Sequence, residues 1–176
     1  MERIVSSLSK GNIWREHLLI LVLCGTQKQQ FSRIIEMAEL LYKFDNEIIV
    51  QNGHTKYESN KVRLLDFISS EKLENYYEKA DIILTHGGTG SIMTGIRNRK
   101  PVIAVPRLEK FHEHVDDHQT EIVHKLSELG YIISCNSLIK SDIVNCYNKA
   151  MSFQPNNDPI YSKIHEMIST ILNKDN

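Results

Sequence analysis

Residues 18–25 read LLILVLCG and residues 81–91 read DIILTHGGTGS, and these two stretches decide the fold. The first is aliphatic almost throughout, which is typical of a central strand whose two faces are both buried in a parallel sheet. The second is a short apolar strand followed at once by a glycine-rich turn, where a strand commonly leads into a helix N-terminus. Both stretches therefore predict an α/β protein with a parallel sheet at its centre.

Outside these stretches, strand-length apolar runs alternate with longer amphipathic segments, which predicts helices on both faces of the sheet. The remaining strands are predicted at 47–51, 62–67, 102–105 and 131–134. The helices are predicted at 29–43, 70–79, 89–98, around 122–129, 139–151 and 161–172. We therefore predict a Rossmann-like fold in one domain at 18–176, preceded by an N-terminal extension at 1–17 that is either a docking helix or a loose segment.

The composition argues against several classes of protein. The chain has 176 residues, 41% hydrophobic and 24% charged, which is typical of one soluble globular domain. Its 21 Lys and Arg residues nearly balance its 22 Asp and Glu residues, so its net charge offers no attraction for nucleic acid, and we expect no such partner. The three cysteines form no CxxC pair, which favours a reducing compartment over a disulfide framework.

The apolar run at 18–24 is too short to cross a membrane, since a spanning helix needs roughly 20 residues. Acidic and polar residues surround this run and no small-residue cleavage site follows it, unlike the arrangement in a signal peptide. We therefore expect a cytoplasmic protein that reaches the inner face of a membrane only through a partner.

Polar residues are concentrated directly after three of the predicted strands, at 25–27, at 86–91 and in a long loop from 106 to 119. Because the carboxyl ends of parallel strands meet at the same edge of a sheet, we expect these three loops to converge there. Helix N-termini and loop amides at that edge are where such sheets bind their ligands. The convergence of these loops predicts one binding site.

The loop at 86–91 suits a phosphate, because glycines let backbone N–H groups approach closely and Thr89 or Ser91 can add a hydroxyl donor. It is not a Walker loop, since no Gly-Lys-Ser/Thr follows, and it does not match GxGxxG. Its place after a late strand also argues against ordinary dinucleotide binding. The structural alternative is a tight strand-to-helix turn that needs positive φ values.

The histidine-rich loop raises the question of a metal site. His112, His114, Asp116 and His118 resemble the HxHxDH zinc arrangement, but Asp117 displaces the last histidine by one position. That spacing matters because the ligand directions must converge on one metal ion. We therefore expect no metal and no cofactor, and the alternative role of the two aspartates is to begin the following helix.

Five segments at ordered spacings carry a resemblance to a known family. They are Gly25-Thr-Gln27 with Phe31 and Arg33, Val50-Gln-Asn-Gly53, His86-Gly-Gly-Thr-Gly-Ser-Ile92, Lys100-Pro-Val-Ile-Ala-Val-Pro-Arg107 and Glu113-His-Val-Asp-Asp-His-Gln119. Over about residues 18–150 the chain resembles the C-terminal domain of glycosyltransferase family 28, above all the small PssE/EpsF-type subunits of bacterial exopolysaccharide and capsule enzymes. That group is similar to the catalytic subunit of the eukaryotic enzyme that adds the second N-acetylglucosamine to a dolichol-linked sugar.

The resemblance implies the donor-binding C-terminal half of a GT-B fold, with the other half on a membrane-anchored subunit that binds a lipid-linked acceptor. A chain of 176 residues fits this split arrangement, since a complete GT-B enzyme would be about twice as long. The implied reaction is inverting, metal-independent transfer of a sugar from a UDP-sugar donor.

The resemblance also implies which residues bind the substrate. They are Gly25, Thr26, Gln27, Phe67, Ile68, His86, Gly88, Thr89, Gly90, Ser91, Thr94, Arg107, His118 and Gln119. Residues 25–26 would face the diphosphate or the acceptor cleft, residues 67–68 would flank the uracil, and residues 89–91 would bind phosphate. His118 and Gln119 would bind sugar hydroxyls, and we expect Gln119 to be a surface residue whose replacement by Ala leaves folding intact.

The implied site departs from the family pattern at one position, and it does not include an assigned general base. Thr94 occupies the position where many relatives carry a Glu that binds the ribose hydroxyls. The general base is expected on the partner subunit, which leaves His114 and Asp117 as weak catalytic candidates here.

Two other functions compete with this one. A non-catalytic enhancer would bind the transferase subunit and only raise its activity, and a UDP-sugar epimerase-like protein would share the GT-B architecture. The intact glycine loop and the His118-Gln119 pair favour donor binding over the enhancer, and the short chain argues against the epimerase.

Overall fold

Six parallel strands form the centre of the molecule in the computed structural model, which describes residues 17–44, 46–115, 118–135, 139 and 141–154. The strands are β1 (Leu19–Leu23), β2 (Glu47–Gln51), β3 (Arg63–Leu65), β4 (Ile82–His86), β5 (Val102–Val105) and β6 (Ile133–Ser134). Their order is β3-β2-β1-β4-β5-β6, and every neighbouring pair is parallel. Because the connections turn in opposite directions from β1 and β4, the boundary between these two strands is the topological switch point where such sheets bind ligands.

Among the described residues, five α-helices cover the two faces of this sheet. They are α1 (Ser32–Leu41), α2 (Ser70–Lys79), α3 (Thr89–Arg97), α4 (His118–Glu128) and α5 (Asp142–Met151). Alternate residues of β1 face opposite layers: Ile20 and Val22 pack with α1 and α5, and Leu21 and Leu23 pack with α2, α3 and α4. Within the described ranges, no helix is long and apolar enough to cross a membrane.

The predicted elements are confirmed with shifts at their ends. Helix α1 begins at Ser32, three residues after its predicted start; Phe31 before it has an extended φ of -137°, and its amide donates to Oγ1 of Thr55 in the loop after β2. Only Arg63–Leu65 of the predicted third strand pairs with β2. The expectations for residues 1–16 and for a helix at 161–172 lie outside the described residues. The three cysteines are buried free thiols.

Candidate functional site

The loops after β1, β4 and β5 meet at one rim beside the switch point. The Arg107 side chain, just after β5, donates from Nη2 to the Cys24 carbonyl at the end of β1, over 2.7 Å. The Gly87 amide after β4 donates to Oε1 of Gln119 in α4 over 3.1 Å. These two bonds link the loop after β5 and the start of α4 to the other two loops, so the structure brings together the three loops that the sequence predicts to converge.

Helix α3 begins at this rim with open backbone amides. Its N-cap is Gly88, which has no side chain to cap the helix, and the Ile92 amide donates to the Gly88 carbonyl over 3.2 Å. The N–H groups of residues 89–91 precede that bond and therefore have no acceptor within the helix. A Cβ added at Gly90 would meet no atom within 4 Å, so space remains in front of these amides. This arrangement suits an anion such as a phosphate group.

The imidazole of His86 occupies the space between the glycine loops after β1 and β4. A Cβ on Gly25 would lie 2.7 Å from Nε2 of His86, and a Cβ on Gly88 would collide with the same atom. Gly25 also has φ +84°, which L side chains rarely adopt. These two positions need glycine because the ring fills the place of a side chain.

The charge of His86 is suppressed by its surroundings. Its Nδ1 lies 3.4 Å from the Leu23 carbonyl oxygen and 3.3 Å from Oγ1 of Thr85. Burial, followed by the positive charge of Arg107, lowers the pKa of His86 to about 4. The ring is therefore neutral near pH 7 and shapes the two loops without adding charge to them.

Arg107 lies beneath the rim and does not line it. Its side chain is fully buried, and its guanidinium donates to the backbone carbonyls of Cys24, Gln29 and Glu113 over 2.7–2.9 Å. Three of its N–H donors are thus engaged by the loops, and a direct contact between Arg107 and the substrate stays a prediction. Nothing in the sequence at Pro106-Arg107, directly after β5, indicates that this side chain is buried.

Gln119 is also buried, which corrects the expectation of a surface residue. Its Oε1 accepts hydrogen bonds from the Gly87 amide over 3.1 Å and from the Arg107 amide over 3.2 Å. Both lone pairs of this oxygen are thereby used, so the side chain can offer only the N–H donors of Nε2 to another molecule. Gln119→Ala would break two bonds inside the protein, so it is not a neutral substitution.

The predicted base-binding residues lie on a second part of the carboxyl edge. The ring of Phe67, just after β3, is 52% exposed and meets the ring of His54 edge-on at 4.9 Å between centroids. Ile68 beside it is half-buried. A cavity of about 1060 Å³ adjoins these rings and is lined by residues 52–58 and 66–67. Sequence reasoning missed His54, although the Asn-Gly turn after β2 marked a polar loop at this same edge.

The remaining predicted residues differ in their exposure and contacts. Thr26 and Gln27 are exposed at the rim, and Oγ1 of Thr94 donates to the Gly90 carbonyl over 2.9 Å. His114 is half-buried, whereas Asp117 and the side chain of His118 lie outside the described residues. In the part of the chain that the structure describes, no three His, Cys, Asp or Glu side chains form a group able to hold a metal ion.

Comparison with known proteins decides the family. The sequence model of the glycosyltransferase family 28 C-terminal domain matches residues 19–170. The chain belongs to this family. Among curated relatives of this family 28 domain, the UDP-N-acetylglucosamine transferase subunit ALG13 of Saccharomyces cerevisiae is 33% identical over 78 residues, covering 44% of this chain and 37% of the relative. The domain spans less than two thirds of the length of this relative and of the ALG13 subunits of Candida albicans, Debaryomyces hansenii and Candida glabrata.

Solved structures agree on the fold of the family 28 domain. The NMR solution structure of ALG13 superposes with a TM-score of 0.60 at 20% identity, covering 92% of this chain and all of that one. The calicheamicin glycosyltransferase CalG4 superposes with the same TM-score of 0.60 at 15% identity, covering 93% of this chain and 40% of that one. The predicted Rossmann-like sheet, equivalent to the C-terminal half of a GT-B fold, is therefore confirmed.

Proposed function

We propose that this chain is the donor-binding, catalytic subunit of a two-chain glycosyltransferase that transfers a sugar from a UDP-sugar to a lipid-linked acceptor. The open amides at the start of α3 carry the proposal, because they stand at the rim where three loops meet and have no acceptor in their own helix. A diphosphate is the part of a UDP-sugar that matches such a row of donors.

The same amides suit the chemistry of transfer. When the bond to the sugar breaks, negative charge develops on the diphosphate of the leaving UDP. The N-terminus of α3 carries a partial positive charge and its amides are already oriented, so stabilising that charge needs no reorganisation. Inversion and metal independence are carried over from the family resemblance, and the general base is proposed on the partner, with His114 and Asp117 as weaker candidates.

Gln119 and Phe67 support recognition of the two ends of the donor. Because Oε1 of Gln119 is used within the protein, its Nε2 would donate to hydroxyl oxygens of the sugar, a role we extend to His118 from the resemblance. The exposed ring of Phe67 offers an apolar surface for the uracil, next to Ile68. Gly25, Thr26 and Gln27 would border the diphosphate and the acceptor cleft.

The partner and the cellular setting are also proposals. The yeast relatives are named as subunits of a UDP-N-acetylglucosamine transferase, which supports a heteromeric enzyme. We propose a cytoplasmic chain recruited to the membrane by an anchored, acceptor-binding subunit. The resemblance to the bacterial PssE/EpsF-type subunits supports a role in exopolysaccharide or capsule synthesis.

Donor binding is tested most sharply with Gln119→Glu. The carboxylate can still accept from the amides of Gly87 and Arg107, but it replaces the Nε2 donors with an acceptor. We expect the Kd for the UDP-sugar to rise about tenfold more than the Kd for UDP, measured by calorimetry, since only the sugar contact is lost. Lys125→Gln is the matched control, because it changes the net charge equally at an exposed position of the same helix.

Activity is tested by co-expressing the chain with its membrane-anchored partner and supplying lipid-linked acceptor and a panel of UDP-sugars. We expect UDP release and a glycosylated lipid with one donor of the panel. If no UDP-sugar shifts the melting temperature of the chain and no transfer occurs, the proposal fails and the enhancer function takes its place.

A further inference from the structure

Arg107 connects every loop of the rim while remaining out of contact with solvent. Its guanidinium bonds to the Cys24 carbonyl after β1, to the Gln29 carbonyl before α1 and to the Glu113 carbonyl in the loop after β5. Its own backbone N–H donates to Oε1 of Gln119, the oxygen that also holds the amide of Gly87. The side chain of Arg107 therefore holds the loops after β1 and β5, and its backbone is linked through Gln119 to Gly87, just before the open amides of α3.

The charge around Arg107 is not balanced by carboxylates. The neighbouring carboxylate of Glu113 is engaged by Arg33, with Nε to Oε1 at 2.9 Å and Nη2 to Oε2 at 2.6 Å. Arg107 bonds to the backbone carbonyl of Glu113 and not to this carboxylate. Both guanidinium groups lie over the ring of Phe31, with Cζ 4.7 Å from the centroid for Arg107 and 5.3 Å for Arg33. Nε of Arg107 and Nη1 of Arg33 are buried without a hydrogen-bond partner among the described residues.

The excess positive charge lies directly behind the glycine loops. The ring of His86 packs against Gly25 and Gly88, and the charge of Arg107 helps to lower the pKa of that ring. His114 makes a smaller electrostatic contribution to the same lowering of the His86 pKa. Burying an arginine without a carboxylate partner costs free energy, because its charge loses its contact with water. An anion that approaches the arginine offsets this cost, because electrostatic attraction is strong where water is excluded.

We propose that Arg107 is a positioning residue of the diphosphate site, which holds the loops in place and attracts the diphosphate through its charge without touching it. This inference rests on the proposed function. The diphosphate of UDP supplies the negative charge that the cluster of Arg33, Arg107 and Glu113 lacks. A neutral residue could hold the loops, but it could not attract the anion.

The test compares Arg107→Lys, which keeps the charge, with Arg107→Gln, which removes it, in the full chain. Affinities for UDP, uridine and inorganic pyrophosphate are measured by calorimetry at low and high salt, after the fold of each variant is verified by circular dichroism. We expect Arg107→Gln to lose about tenfold in affinity for UDP and for pyrophosphate, with a smaller loss for Arg107→Lys. Uridine, which lacks the diphosphate, should bind all three proteins alike.

NMR titration of His86 adds a readout that a scaffold role alone would not change. The pKa of His86 should rise above about 4 in Arg107→Gln, because the positive neighbour is gone, and stay near it in Arg107→Lys. The inference is overturned if the two variants bind UDP equally, or if uridine binding falls in step with UDP binding. If the wild-type chain binds neither UDP nor pyrophosphate, the proposed function itself has failed.

A second variant, which removes a negative charge from the cluster instead of a positive one, keeps the inference testable if Arg107→Gln does not fold. Glu113→Gln leaves Arg107 in place and makes the cluster more positive by one charge. We expect it to bind UDP at least as tightly as the wild type at a temperature where both are folded. A loss of UDP affinity that parallels its loss of stability would overturn the inference.

Discussion

The carboxyl rim of the sheet has two layers, and they differ in whether their polar groups are hydrogen-bonded within the protein. In the buried layer, Arg33, Arg107 and Glu113 bond to one another or to backbone carbonyls of the rim loops. In the open layer, the first amides of α3 have no acceptor in their helix, and the ring of Phe67 is 52% exposed. The buried layer shapes the rim, and the open layer is left to bind another molecule.

This difference predicts how substitutions in each layer behave. Removing a polar group from the buried layer leaves its partners unbonded away from water, which lowers the free energy of unfolding. Changing the open layer breaks few bonds within the protein, so stability should hardly change while ligand affinity falls. The following tests separate the two layers, from the largest expected effect to the smallest.

The largest effect is expected for Glu113→Gln in the buried layer. The substitution keeps the size of the side chain but leaves the buried guanidinium of Arg33 without its carboxylate. We expect the free energy of unfolding in urea to fall by about 3 kcal/mol. Glu58→Gln, at an exposed position of the loop after β2, is the control with the same charge change and should alter it by less than about 0.5 kcal/mol. Equal effects of both variants would contradict the distinction between the layers.

The second test uses pH, because His86 lies between the two layers. Its pKa falls from 6.5 to about 4 on folding, so the unfolded chain binds a proton there more readily than the folded one. This residue's contribution to stability is complete above pH 6.5 and is lost as the pH falls toward 4. We expect a loss of roughly 2 kcal/mol, reduced from the full linkage value because the ring is partly exposed. His86→Gln should lack this slope in urea titrations between pH 4 and pH 7, and a slope equal to that of the wild type would assign it to other groups.

The smallest effects come from two glycines of the same helix. A Cβ at Gly95 would lie 2.6 Å from Cγ2 of Val102, whereas a Cβ at Gly90 would meet nothing within 4 Å. We expect Gly95→Ala to destabilise the fold by about 1.5 kcal/mol through overpacking, and Gly90→Ala to stabilise it by about 0.5 kcal/mol. UDP binding should nevertheless weaken in Gly90→Ala, because the methyl group occupies the space before the open amides. Unchanged UDP affinity in Gly90→Ala would remove the α3 amides from the site.

Sequence reasoning succeeded where the relevant pattern is local. The aliphatic run of β1 and the strand-to-glycine sequence at β4 identify a parallel sheet, because burial of both strand faces leaves no polar positions. It did not reveal that Gln119 and Arg107 are buried. Nothing in the neighbouring residues reveals that their polar atoms bond to loops from other parts of the chain.

The sequence by itself determined the strand and helix order, the family and the segments that form the rim, since each depends on residues close together in the chain. Only the tertiary structure decided which polar groups of the rim are used within the protein and which remain open. The bond from Arg107 to Cys24 joins residues 83 positions apart. Such a contact forms only after the sheet has brought the loops together. It uses polar groups of the rim within the protein, and those groups are then not available to bind another molecule.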